Sequence, residues 1–175
     1  HPVTLPADPE AELIAIGNRL VDEMVIHPAT LAFWWPRFKR IARWFAGWEA
    51  GRRAAGILPL KTEIKGSIAV SVAGKTFTLS GTADRIDRLP SGNLSLVDYK
   101  TGSPPTKPMV EAGFSPQLPL EAAMLARGAF ADIDKSETDE LLYVRLSGGR
   151  EPGKERRIDL DAMDAAEAAW DGLIR

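Results

Sequence analysis

No cysteine occurs in the 175 residues, and that absence alone removes disulfides, thiolate metal sites and a cysteine nucleophile. Histidine is almost as scarce, with two. His1 is terminal, and His27 precedes a proline at an expected helix end, where interaction with the helix dipole accounts for it. Neither supports a catalytic triad. A G-x-S-x-G elbow and a G-x-x-x-x-G-K-[ST] phosphate loop are both missing, so no serine-hydrolase nucleophile motif and no ATP hydrolysis is encoded here. No apolar run approaches the roughly 18 residues needed to cross a bilayer. The first thirty residues also lack the basic start and apolar stretch of a signal peptide. These absences lead us to expect a cytoplasmic protein with no membrane partner. Because the chain opens on His1-Pro2, we expect a piece of something longer.

A strong net charge is lacking too. The 22 cations and 24 acids leave a formal charge of −2, which gives no global nucleic-acid signature. The distribution is nevertheless uneven. From Arg37 to Arg53 six cations (Arg37, Lys39, Arg40, Arg43, Arg52, Arg53) face the single acid Glu49. A local positive field of that kind is what a phosphate backbone would meet. The competing reading is an ordinary solvated helix face.

Apolar residues make up 45% of the chain, enough for one domain with its own core. We expect a helical part over 1–56 and a sheet-containing core over 57–175. Asp8-Pro9 opens a helix over 9–26, with Leu13, Ile16, Leu20 and Met24 at helical spacing and His27-Pro28 at its end. A second helix is expected from about Pro36 to Ala50. Trp34, Phe38, Ile41, Phe45 and Trp48 form its apolar stripe, read as a buried face rather than a stacking platform for bases. Trp35 and Trp44 lie off that stripe and are candidates for an interface. Residues 57–100 then change to short β-branched or alternating runs: 57–65, 67–72, 76–88 and 94–100, broken by glycine turns. After a proline-rich loop, Ser115-Pro116 opens a helix to about Ala129. Strands are expected at 141–146 and 156–160, and a closing helix at 161–174. The order α, several β, α, β, α predicts an α/β fold with a mixed sheet flanked by helices.

One hairpin carries the chemistry. Asp84-Arg85-Ile86-Asp87 and Asp98-Tyr99-Lys100 are joined through the turn Pro90-Ser91-Gly92-Asn93. Folding the chain about residues 91 and 92 places Asp84 and Asp98 nearly opposite each other. Lys100, two residues past Asp98, shares its face. Two adjacent carboxylates repel unless a cation or proton holds them. A hard divalent ion held by both, with a lysine beside it, is an arrangement suited to phosphodiester hydrolysis. A structural ion pair is the plainer reading of the Asp-x-Lys triplet, and Glu63-Ile64-Lys65 repeats that triplet without the same context.

Three ordered motifs now stand together: Gly81-Thr82-Ala83-Asp84-Arg85-Ile86-Asp87, Val97-Asp98-Tyr99-Lys100-Thr101-Gly102, and Gln117 on the following helix. In these the chain resembles the RecB-like branch of the PD-(D/E)XK nuclease superfamily, whose fold is restriction-endonuclease-like. The segments Trp34-Trp35-Pro36-Arg37-Phe38 and Pro116-Gln117-Leu118-Pro119-Leu120-Glu121 look most like the C-terminal nuclease domain of AddB subunits. Those belong to bacterial AddAB helicase–nucleases that process double-strand breaks. The resemblance implies that Asp84, Asp98 and the carbonyl of Tyr99 hold Mg²⁺ (or Mn²⁺), that Lys100 orients or activates the attacking water, and that Gln117 supports the site. It implies DNA as substrate, single-stranded on delivery, and an AddA-like helicase–nuclease subunit as partner. Glu63 would act, if at all, through a water or a second ion.

The chain departs from its relatives in three places. No histidine is evident on a helix before the acidic motifs; Glu121 stands where members often have a tyrosine; and with no cysteines, no iron–sulfur cluster is expected. A stand-alone nuclease of the same superfamily and a non-catalytic module for DNA guidance or subunit docking are the rival readings.

Overall fold

The structure is a computed structural model and describes residues 4–174. Its centre is a five-stranded mixed sheet in the order β1 (Leu58–Val72), β2 (Lys75–Arg88), β3 (Leu94–Lys100), β4 (Thr138–Leu146), β5 (Gly153–Arg157). All neighbouring pairs are antiparallel except β3 and β4, which run parallel. A parallel pair needs a crossover. Here α3 (Lys107–Glu111) and α4 (Gln117–Ala126) supply it, and they carry Gln117 back over the sheet. The proline-rich loop expected after Gly102 therefore contains a short helix that its sequence hid.

β1 and β2 form one long hairpin rather than two broken strands. Gly66 does not interrupt it; Gly66 pairs with Gly81, and the Phe130 ring occupies the place where a side chain would begin, 2.6 Å from an added Cβ. The β2–β3 turn is closed by Leu89 N–H to the Asn93 carbonyl at 2.9 Å, with Gly92 at φ +94°. Leu94, Leu96, Ile86, Leu118, Leu125, Leu141 and Tyr143 are almost fully buried between this sheet face and the helices α4 and α5 (Ala162–Ile174). Each such side chain contributes about 1.5–3 kcal/mol by leaving water.

α1 (Pro9–Glu23) starts as expected, with Asp8 accepting from Ala11 N–H at 3.0 Å. α2 does not begin at Pro36. It runs from Pro28 to Ala54, with His27 as its N-cap accepting from Ala29 N–H through Nδ1 at 3.2 Å. His27 thus starts a helix instead of sitting at the end of one, because Pro28 fits the first helical position, where its missing N–H is not needed. Pro36 lies inside α2, where it removes one main-chain hydrogen bond. His1 lies outside the described residues.

The buried line of α2 also differs from the expected stripe. Trp34 is 53% exposed, whereas Trp44 packs against Gly153 and stacks with Trp48 at 6.0 Å. Trp35 is half-buried and stacks on Phe38 at 5.3 Å. Ala42, Ala46, Glu49 and Arg52 form the buried line of the helix.

That last pair explains where much of the basic stretch goes. Arg52 donates to Asp87 at 3.0 Å, to Ser95 Oγ at 3.2 Å and to Glu140 at 3.0 Å, all buried. Arg85 joins Asp87 and Glu49, each at 2.6 Å, and Arg53 also holds Glu49 at 2.6 Å. The Trp48 ring lies over both Arg52 and Arg85. Burial opposes ionisation of Glu49, but its bonds to Arg85 and Arg53 outweigh that and hold it below the usual carboxylate range. Arg43 pairs with Glu10, and Arg40 donates to the Gly148 carbonyl. Within the positive run, Arg52 is therefore an internal clamp between α2 and the sheet, and Arg53 braces Glu49 from the same helix.

Removing one partner from such a cluster strands charge away from water. Arg52→Ala leaves Asp87 and Glu140 buried beside it and lowers stability by about 3–5 kcal/mol. Urea unfolding at pH 7 checks this; a loss below about 1 kcal/mol means Arg85 and Arg157 suffice without it.

Candidate active site

The alternation of side chains along β2 and β3 sorts chemistry onto two faces. Arg85, Asp87, Ser95 and Tyr99 point toward α2; Asp84, Ile86, Leu96, Asp98 and Lys100 point toward α4. The register matches Arg85 to Val97 and Ile86 to Leu96. Asp84 and Asp98 are thus level, one step beyond the last ladder pair. There the backbone bond is replaced by a side chain: Tyr99 N–H donates to Asp84 Oδ2 at 2.9 Å. The expected pairing of the two acids holds, and its cause is the hairpin register.

Lys100 Nζ donates to Asp98 Oδ1 at 2.9 Å and to Gln117 Oε1 at 3.0 Å. It also lies 2.8 Å from Asp98 Oδ2, but without hydrogen-bond geometry, so that buried oxygen has no hydrogen-bond partner. Gln117 in turn donates from Nε2 to Glu121 Oε1 at 3.2 Å, one turn further along α4. The structure therefore brings Asp84, Asp98, Tyr99, Lys100 and Gln117 together. Glu63 is exposed, at φ +50°, where the β1–β2 ladder skips the position facing Asp84, between Thr62–Arg85 and Ile64–Ala83.

Two further residues belong to the cluster. Glu121 is 5% exposed, and Tyr143 on β4 is level with Asp98 across the parallel pair. The Tyr143 ring centre is 5.9 Å from Lys100 Nζ, and its buried hydroxyl has no hydrogen-bond partner. Sequence reasoning noted Glu121 only as a departure and missed Tyr143. The i, i+4 spacing of Gln117 and Glu121 was the available signal for the first; nothing local marks the second.

Electrostatically the site is crowded with acids. Burial above all, and then the Asp84 charge, raise the Asp98 carboxyl, against the pull of Lys100 and Gln117. Burial likewise pushes Glu121 up to about 7, with Asp98 and Asp84 adding to it while Gln117 and Lys100 oppose. Burial raises the Tyr143 phenol, and the charges of Asp98 and Glu121 raise it further.

Among the described residues no three or more His, Cys, Asp or Glu side chains are grouped as a metal cage. The hard donors are the two carboxylates of Asp84 and Asp98 and nearby main-chain carbonyl oxygen. Oxygen donors of this kind suit Mg²⁺ or Mn²⁺, ions that keep several waters. Asp98 Oδ2, which has the Lys100 ammonium beside it but no hydrogen bond, is an oxygen such an ion could share.

A mixed sheet with two level carboxylates, a lysine beside one and a glutamine from the crossover helix is the architecture of restriction-endonuclease-like proteins. The chain belongs to the PD-(D/E)XK nuclease superfamily, whose family model matches residues 4–175. It is similar to an uncharacterized protein of Rickettsia typhi, 32% identical over 141 residues, covering 79% of this chain and 16% of that protein. An uncharacterized protein of Rickettsia bellii is also 32% identical, over 182 residues, covering 96% of this chain and 22% of that protein. The chain thus spans about a fifth or less of the length of these curated relatives. Among solved structures, the crystal structure of SSO0001 is similar with a TM-score of 0.41 and 17% identity, across 94% of this chain and 69% of that one. No helix among the described residues is long and apolar enough to cross a membrane.

Glu121 gives the site a measurable pH signature. Its folded value of about 7 lies above the ordinary 4.5, so its proton favours the folded state at low pH. That stabilisation is complete below about pH 4.5 and is lost as pH rises through about 7, amounting to about 3 kcal/mol. Asp98 is shifted in the same sense, while Glu49, held low, acts only at more acidic pH. Urea unfolding in EDTA is therefore expected to show Glu121→Gln flattening the loss of stability between pH 5 and 8. An unchanged slope means the carboxyl is solvated.

Proposed function

We propose that this chain is a Mg²⁺- or Mn²⁺-dependent deoxyribonuclease domain that hydrolyses phosphodiester bonds. The observation that carries this reading is the level placement of Asp84 and Asp98 on adjacent strands, with Lys100 joined to both Asp98 and Gln117. In this reading Asp84, Asp98 and the Tyr99 carbonyl hold the ion. When bound, the ion lowers the pKa of a coordinated water and offsets charge on the phosphate oxygens. Lys100 aligns the attacking water through an N–H donor and stabilises the negative charge that builds on phosphorus-bound oxygen. Gln117 fixes the Lys100 ammonium from the other side. The water oxygen bonds to phosphorus and gives up a proton to solvent, while the bond to the departing sugar oxygen breaks and that oxygen takes a proton from solvent.

The setting we propose is an AddB-like nuclease domain within a larger helicase–nuclease, working with an AddA-like subunit in the cytoplasm on single-stranded DNA released at double-strand breaks. Its support is the likeness of the 34–38 and 116–121 segments to AddB domains, together with the small share of the relatives' length that the chain spans. No iron–sulfur cluster is part of this reading, since the chain has no cysteine. α2, with its remaining exposed cations, packs on the sheet face opposite Lys100, so it is not placed to line the reacting centre.

A cleavage assay on labelled single-stranded DNA with Mg²⁺ or Mn²⁺ tests the assignment. Asp98→Ala and Lys100→Ala are each expected to slow cleavage about a hundredfold or more. Equal rates for wild type and both variants would sink it.

A further inference from the structure

We propose that Glu121 and Tyr143 are positioning residues that together hold a water of the divalent ion's hydration shell against Asp98. This rests on the metal-dependent reading above and extends it to two side chains that the acidic hairpin does not contain. They reach the same place from different elements, Glu121 from α4 and Tyr143 from β4.

The case begins with a polar atom that the protein leaves without a partner, the buried Tyr143 hydroxyl. Beside it on the next strand, the buried Asp98 Oδ2 has no hydrogen bond and only the ion-pair contact with the Lys100 ammonium at 2.8 Å. Tyr143 and Asp98 are level on neighbouring parallel strands, on the same side of the sheet. A buried hydroxyl without a partner is costly, and native proteins retain one where it serves a ligand, a water or an ion. Glu121 is also buried, and one of its oxygens accepts from Gln117, which already holds Lys100. The chain of contacts from Asp98 through Lys100 and Gln117 thus ends on Glu121. The two negative charges that Tyr143 feels are Asp98 and Glu121, so the phenol sits in the field of both acids.

Direct coordination by Glu121 is not what the geometry offers, since among the described residues no three acids form a cage. A water-mediated role is. Mg²⁺ and Mn²⁺ bound by one or two carboxylates keep several waters, and each such water donates two hydrogen bonds and needs acceptors or a fixed neighbour. Glu121 supplies an acceptor and Tyr143 a hydroxyl that can donate or accept. Groups of this kind around a metal commonly change ion affinity by 10- to 100-fold when removed.

Calorimetric titration of Mn²⁺ into the wild-type chain, Tyr143→Phe and Glu121→Gln at pH 7.5 tests this, paired with thermal unfolding of each in EDTA. Tyr143→Phe is expected to weaken Mn²⁺ binding about tenfold while leaving the metal-free unfolding temperature unchanged or higher, because the lost hydroxyl had no partner. Glu121→Gln is expected to weaken binding by a similar factor without loss of metal-free stability. Wild-type affinity in both variants overturns the inference and leaves the nuclease reading intact. A fall of several degrees in the metal-free unfolding of Tyr143→Phe also overturns it, since the hydroxyl would then be structural. Absence of Mn²⁺ binding by the wild type removes both the inference and the metal-dependent function.

Discussion

The register between β2 and β3 is the constraint on which everything else depends. Each strand has two chemically different faces, and slipping one against the other by a single residue would exchange them. Asp84 would then lose its place beside Asp98, and Arg85 and Asp87 would turn away from Glu49 and Arg52. The turn fixes that register locally: Gly92 adopts a left-handed backbone, Leu89 and Asn93 close the loop, and the Asn93 and Ser91 side chains both bond to Asp139. The anchoring residue Asp139 lies at the start of β4, so the turn is tied to the strand that completes the site with Tyr143.

The two faces do opposite things with charge. Toward α2, carboxylates and guanidinium groups are matched, and the cluster joins a helix to three strands. Toward α4, acids outnumber cations: Asp84, Asp98 and Glu121 share one ammonium group, Lys100. A matched cluster holds structure in place; a mismatched one leaves a deficit of positive charge, which a cation would relieve. The aromatic layer of Phe45, Trp48 and Tyr99 links the two. Tyr99 touches it with its ring and the Arg85 guanidinium with its hydroxyl, while its backbone N–H fixes Asp84. The clamp on one face therefore steadies the backbone of the other.

What could be read from the chain alone was what local chemistry determines. The hairpin, its turn and the level acids follow from period-two alternation and from Pro90-Ser91-Gly92-Asn93. The mixed sheet followed from the order of elements. The start of α2 was missed because Pro28 and Pro36 are both plausible first residues, and the helix begins at the earlier one, capped by His27, and carries Pro36 inside it. The basic stretch misled for a related reason. Arg52 looks like part of a solvated face until partners from β2, β3 and β4 are brought to it. Glu121 and Tyr143 lie 22 residues apart and meet only through the crossover, a long-range relation no spacing rule expresses.

The Asp98–Lys100 pair has a consequence for how an ion enters. Among the described residues Lys100 is the positive group paired with Asp98, and its side chain is 33% exposed whereas Asp98's is 2% exposed. A cation at Asp98 would compete with that ammonium for the carboxylate oxygens, whereas the bond from Lys100 to Gln117 does not depend on them. The ammonium could then come away from the carboxylate and stay bonded to α4. That tether holds the ammonium between β3 and α4 whatever sits on the carboxylate, which is what the proposed role of Lys100 requires. Without Gln117 the ammonium would gain rotamer freedom and drift toward solvent. The crossover helix that makes the parallel pair possible is thus also what keeps the ammonium in position, so topology and chemistry are set by the same segment.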